Sequence, residues 1–115
     1  MKKIVLALIT SLACVVAQAD YRLIVPQAPG GGTSVWANVV APHLARVLGE
    51  PVIIEHIPGA NDTPGFNKFH NSLQKDHKVI MVAHGGNAES FLTDRVDYNY
   101  DLYEPLALVN LNILV

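Results

Sequence analysis

Strand, loop and helix signals follow one another three times in this chain, and few folds satisfy that order. The apolar runs at residues 21–25, 51–55 and 78–83 read as strands, the second as one packed on both faces. Each gives way to a punctuated loop: Pro26-Gln27-Ala28-Pro29-Gly30-Gly31-Gly32, then Ile57-Pro58-Gly59-Ala60-Asn61-Asp62-Thr63-Pro64-Gly65, then His84-Gly85-Gly86-Asn87. Helical patterns come next, at residues 34–48, from Phe66 to Leu73 and, as a short turn, at 88–92. A helix between strands is the connection that a parallel pair requires, whereas antiparallel strands can be joined by a tight turn. The expected class is therefore α/β, a mainly parallel sheet with flanking helices and right-handed crossovers. Ligands of such sheets bind at the carboxyl ends of the strands, which is where all three loops fall.

The first loop carries the strongest signal. Pro26 and Pro29 fix φ and remove donors, while Gly30, Gly31 and Gly32 permit close backbone approach. Thr33 or Ser34 is placed to cap the helix that starts there. Amides at the positive end of a helix dipole suit an anion, and a carboxylate is the expected one. The candidate ligand contacts are Gly31, Gly32, Thr33 and Ser34 in the first loop, Gly59, Ala60 and Asn61 in the second, and His84, Gly86 and Asn87 in the third.

Within the first helix Val40, Leu44, Val47 and Leu48 have the spacing of an inner face, Gly49 reads as the C-cap, and Pro42 is expected to kink or split it. Phe66, Phe69 and Leu73 form the inner face of the second, with Asp62 or Thr63 as its cap and Pro64 in its first turn. The polar segment 93–103 reads as a surface connection anchored by Tyr98, Tyr100 and Tyr103, and it leads to apolar runs at 106–109 and 112–115 that read as further strands. Trp36, just inside the first helix, reads as a packing residue that could also line a cleft.

Residues 1–19 have the pattern of a signal peptide: Lys2 and Lys3, an apolar stretch from Ile4 to Val16, and small residues in Ala17-Gln18-Ala19. The apolar stretch is short for a spanning helix, which needs about 20 residues. With that segment set aside, six basic residues face ten acidic ones, a formal charge of −4, which argues against nucleic acid as a partner. Cys14, the one cysteine, lies inside the signal, so no disulfide framework is expected. His43, His56, His70, His77 and His84 include no pair at the i, i+4 spacing of a helical zinc site, and neither a metal nor a cofactor is expected. The first loop has no Lys after its glycines and lacks the dinucleotide spacing, and Ser34 and Ser90 lack the setting of an activated nucleophile.

Taken together, Tyr21-Arg22-Leu23-Ile24-Val25-Pro26, Ala28-Pro29-Gly30-Gly31-Gly32-Thr33, Ala41-Pro42-His43-Leu44, Leu48-Gly49-Glu50-Pro51-Val52, Pro58-Gly59-Ala60 and the later Tyr98-Asn99-Tyr100-Asp101-Leu102-Tyr103-Glu104-Pro105 resemble the substrate-binding receptors of tripartite tricarboxylate transporters, the Bug-type periplasmic binding proteins. The resemblance implies a two-lobed, Venus-flytrap receptor that captures a small organic acid and delivers it to membrane permease subunits. It also implies a periplasmic monomer without enzymatic activity, of which residues 20–115 would be the N-terminal part of one lobe. The chain departs from that family's pattern at Ser34, at Asn61-Asp62-Thr63 and at His84-Gly85-Gly86-Asn87. An inward Asp62 would repel a second carboxylate, so citrate-like specificity does not carry over. The alternative reading is part of an exported α/β hydrolase-like or transferase enzyme whose catalytic residues lie beyond Val115. N-terminal sequencing of the exported protein is expected to begin at Asp20; an exported form that keeps residues 1–19 would make that segment an anchor instead.

Overall fold

The computed structural model describes residues 20–73, 75–84, 91–92 and 96–107. Residues 1–19, Gly86 and Asn87, most of the expected turn at 88–92 and the apolar runs from 108 onward lie outside these residues. Along the chain come β1 (Tyr21–Val25), α1 (Gly32–Leu48), β2 (Val52–His56), a 3-10 turn (Ala60–Asp62), α2 (Thr63–Lys68), a π-helical turn (Phe69–Leu73), β3 (Val79–Met81) and a second 3-10 turn (Tyr100–Leu102). The strands form one three-stranded sheet in the order β2-β1-β3, and both pairings are parallel. This is the α/β arrangement that the alternation of elements requires.

Side chains alternate across a strand, so β1 serves two layers. Leu23 and Val25 point to one face, where they pack with Ala37 and Ala41 of α1 and with Val52, Ile54, Ile80 and Val82. Ile24 points to the other, against Leu73, Val79, Ile57, Phe69 and Met81. Removing Leu23, Ile24 and Val25 from water stabilises the fold by about 1.5–3 kcal/mol each.

Several expectations are corrected by this packing. The fully buried residues of α1 are Ser34, Ala37 and Ala41; of the expected aliphatics Val40, Leu44 and Leu48 are half-buried beside them, and Val47 is 84% exposed. Small residues at i, i+3 and i+7 let the helix axis lie close to the sheet, and the stripe they define is rotated away from Val47. Neither Thr33 nor Ser34 caps α1: the N-cap is Gly31, with no side-chain cap bond, and both hydroxyl residues belong to the first turn. Pro42 does not divide the helix, which runs unbroken for 17 residues. Pro42 and Asn38 are both exposed, so the Asn38 carbonyl that loses its donor stays in water. Gly49 closes α1 in the left-handed region at φ 71°, and its amide donates to the Ala45 carbonyl.

β2 is not buried on both faces. Among the described strands it is at an edge of the sheet, and Ile53 is half exposed. Arg22, Glu55, Lys68 and Asp76 instead line that side, with Arg22–Glu55 at 3.4 Å, Lys68–Glu55 at 3.2 Å and Arg22–Asp76 at 3.7 Å. Such part-exposed pairs contribute about 0–1 kcal/mol each and mainly keep the edge charged. Lys78 pairs with Glu50 and lies over the Tyr21 ring, fastening the start of β3 to the start of β2.

The largest correction concerns the tyrosines. Tyr98 is 2% exposed and therefore belongs to the core rather than the surface. It packs on Phe66 at 4.9 Å between ring centroids, while Tyr100 packs on Phe66 at 5.5 Å and Tyr103 on Phe69 at 5.4 Å, edge to face. The segment after β3 is thus bound across α2 by aromatic contacts, each worth about 0.5–1.5 kcal/mol beyond the area it buries. Leu106 and Ala107 are not in a strand, and Leu106 is 73% exposed.

Replacing Ala37 by Leu is expected to destabilise the fold by about 1–3 kcal/mol by forcing α1 off the sheet. Val47→Ala should stay within about 0.5 kcal/mol of the parent. Denaturant unfolding of both variants checks the assignment, and the reverse order would return Val47 to the inner face.

Candidate functional site

Two backbone bonds carry the sheet's regularity past its strands and into the loops. Ile57 N–H donates to the Val25 carbonyl and Val82 N–H to the Ile24 carbonyl, each at 2.9 Å. The bases of the second and third loops are therefore fixed to β1, and the first two loops and the described start of the third, through His84, leave the same edge of the sheet. In the first loop, Gly30 takes the left-handed region at φ 91°, and the Gly31 amide closes a turn onto the Ala28 carbonyl at 3.4 Å. The chain then enters α1 without a side-chain cap and with no acidic residue in the first turn. The first amides of a helix have no intrahelical acceptor. Gly32 and Thr33 thus offer donors at the positive end of a 17-residue dipole.

The second loop is shaped by close approach and by strain. Gly65 lies against Pro26, where a Cβ would come within 2.8 Å of the proline Cβ and 3.0 Å of the Ile57 carbonyl oxygen. Gly59 abuts Pro64 in the same way. Asn61 and Asp62 follow one another in the left-handed region, at φ 51° and 59°. Two such non-glycine residues in succession are costly, and Asn and Asp are among the side chains that tolerate it best. Asp62 stands at the N-cap position of α2 but makes no capping bond. Its carboxylate turns into the protein instead, and the residue is buried.

That orientation joins the three loops. Asp62 Oδ2 lies 2.8 Å from His84 Nε2 of the third loop and accepts from Gln27 Nε2 of the first at 3.3 Å. The Gln27 carbonyl in turn lies 2.9 Å from Nδ1 of His56, the last residue of β2. Gln27 Oε1 is 3.5 Å from the point that a Gly31 Cβ would occupy, so the same side chain reaches from the start of α1 to Asp62. A network of His56, Gln27, Asp62 and His84 therefore runs along the carboxyl edge of β2, β1 and β3.

Of the residues that sequence reasoning proposed as contacts, Gly31, Gly32 and Thr33 lie at the start of α1, Gly59, Ala60 and Asn61 on the second loop, and His84 three residues past β3, which ends at Met81 rather than Ala83. Ser34 is 2% exposed and shares the inner face of Ala37 and Ala41, and its carbonyl accepts from Asn38 Nδ2 at 2.7 Å. Gly86 and Asn87 lie outside the described residues. Gln27 and His56 were missed. The signal for both was positional, since each stands at or just after the carboxyl end of a parallel strand, with Val25 and His56 in register. No group of three or more His, Cys, Asp or Glu side chains suited to a metal occurs among the described residues. Trp36, Ala37, Val40 and Val82 line a small apolar recess beside α1.

The aromatic cluster abuts this edge. Burial, followed by the neighbouring Tyr98, Tyr103 and Asp62 charges, pushes the Tyr100 phenol well above its ordinary range. Burial and then Tyr98 push Tyr103 up to about 12. Both phenols stay protonated in the folded chain at pH values where unfolded tyrosines, with pKa about 10, already ionise. Their contribution to stability is whole below pH about 10 and is lost as the pH rises through about 12.

No protein-family model matches the chain. It is similar to a UPF0065 protein of Bordetella pertussis, 29% identical over 90 residues that make up 77% of this chain and 28% of the relative. It is also similar to the UPF0065 protein of the gbd 5' region of Cupriavidus necator, 29% identical over 66 residues, 57% of this chain and 20% of the relative. The chain thus spans less than a third of the length of these curated relatives. Unfolding followed across the alkaline range is expected to show stability falling from pH about 10 upward, with a shallower fall in Tyr103→Phe; equal slopes in the two proteins would remove Tyr103 as a source.

Proposed function

We propose that this chain is part of an extracytoplasmic solute-binding receptor that captures a small organic acid through its carboxylate and presents it to a tripartite tricarboxylate-type membrane transporter. The observation that carries the reading is the uncapped start of α1, with the Gly32 and Thr33 amides at the edge where three loops converge. The distant likeness to UPF0065 proteins supports it, because that designation covers Bug-type receptors, which the first-loop residues resemble. In this reading the protein is periplasmic and non-enzymatic, with residues 1–19 removed during export. The ligand's carboxylate accepts from amides near Gly31, Gly32 and Thr33, with the second loop at Gly59, Ala60 and Asn61 as a further source of contacts and the sequence positions Gly86 and Asn87 as candidates in the third. Closure over the ligand forms the surface that the permease subunits recognise.

Gly32→Pro provides a selective test. Gly32 is the first helical residue, where proline is well tolerated, and a Cβ there meets nothing within 4 Å. The substitution removes one amide donor while the helix remains. A carboxylate present at about 100 times its dissociation constant is expected to stabilise the parent by about 2.7 kcal/mol in a thermal-shift assay and to lose most of that effect in Gly32→Pro. Equal stabilisation of the two proteins would move the ligand away from α1.

A further inference from the structure

We infer that Asp62 sets the charge of the ligand, so that the site accepts a single carboxylate carrying a hydrogen-bond donor and disfavours a second carboxylate. The inference rests on the reading of the three-loop edge as a carboxylate site and specifies which acids that site holds.

Asp62 is the one carboxylate among the described residues of the three loops, and its side chain is 10% exposed. An aspartate on a surface turn ordinarily faces water, where its charge is screened and has little influence on a ligand. Here Asn61 and Asp62, at φ 51° and 59°, hold it turned inward. Backbone strain of this kind persists only where the surroundings over-determine it, and it collects at ligand clamps. The surroundings in this case are Gln27 at 3.3 Å and His84 at 2.8 Å from Oδ2.

Gln27 also reaches the start of α1, which places the carboxylate one side chain away from the amides proposed to hold the ligand. The part of a ligand that extends from those amides past the Gln27 carboxamide would meet Asp62. A hydroxyl, amide or ammonium in that direction finds an acceptor, whereas a second carboxylate meets a like charge in a part-buried setting where screening is weak. His84 moderates the repulsion, and among the described residues Tyr100 is also near enough to interact with the Asp62 charge.

The test compares lactate, succinate and citrate by calorimetric titration against the parent, Asp62→Asn and His84→Gln. The parent is expected to prefer lactate. Asp62→Asn should raise the affinity for succinate and citrate by on the order of tenfold and lower that for lactate, whose hydroxyl then meets a neutral acceptor. His84→Gln, at a side chain that is nearly half exposed, should retain the fold and lower succinate and citrate further, because it leaves the Asp62 charge less compensated. Opposite movement in the two variants supports charge selection. A uniform loss of all three acids in both would make the network purely structural and overturn the inference, as would a parent that binds citrate as tightly as lactate; in either case the carboxylate reading survives. Absence of binding by any acid to any of the three proteins would overturn that reading and this inference together.

Discussion

The backbone of β1 is hydrogen-bonded along both edges, to β2 on one side and β3 on the other, and its last three side chains have almost no contact with water. A strand in that position leaves little freedom to its surroundings. Parallel pairing on both sides obliges the chain to travel the length of the sheet before each return, so helices must cover the faces. It also brings the carboxyl ends of all three strands together. The loops share an edge because the strands share a direction, and the Val25 and Ile24 carbonyls extend that alignment into the loop bases.

From this edge the chemistry follows by contact. The first loop ends in a helix start that no side chain caps, and the second carries an inward carboxylate on a strained pair of residues. The third supplies the histidine that meets it. Positive potential at the helix end and negative charge at Asp62 lie on either side of one glutamine carboxamide. The arrangement is polar at a fixed spacing, and a small molecule seated there would be oriented as well as held.

The order of elements was legible because strands and helices announce themselves through runs and punctuation, and Gly49 marked the end of α1 through the single conformation that it permits. Which face of a helix turns inward was less legible. Val47 carries more apolar area than Ala37 or Ala41 yet lies in water, while the two alanines are buried at the centre of the contact because they allow the closer approach. Tyr98 and Tyr100 look polar and local in sequence, and their partner Phe66 lies some thirty residues earlier, beyond the reach of any periodicity. The loops were legible as loops, but not as a network. Asp62 reads as an ordinary helix cap until the two positive φ angles are known, and His56 reads as a surface residue until the register with Val25 brings it to the edge.

Trp36 is the single tryptophan of the chain, and it sits in the second turn of α1, 44% exposed, against Ala37, Val40 and Val82. A half-exposed indole that forms a wall of an apolar recess emits at a wavelength sensitive to small changes in its hydration. Because it rides on the helix whose start borders the three loops, the protein carries its own optical reporter, and events at that edge can be followed in the unlabelled chain.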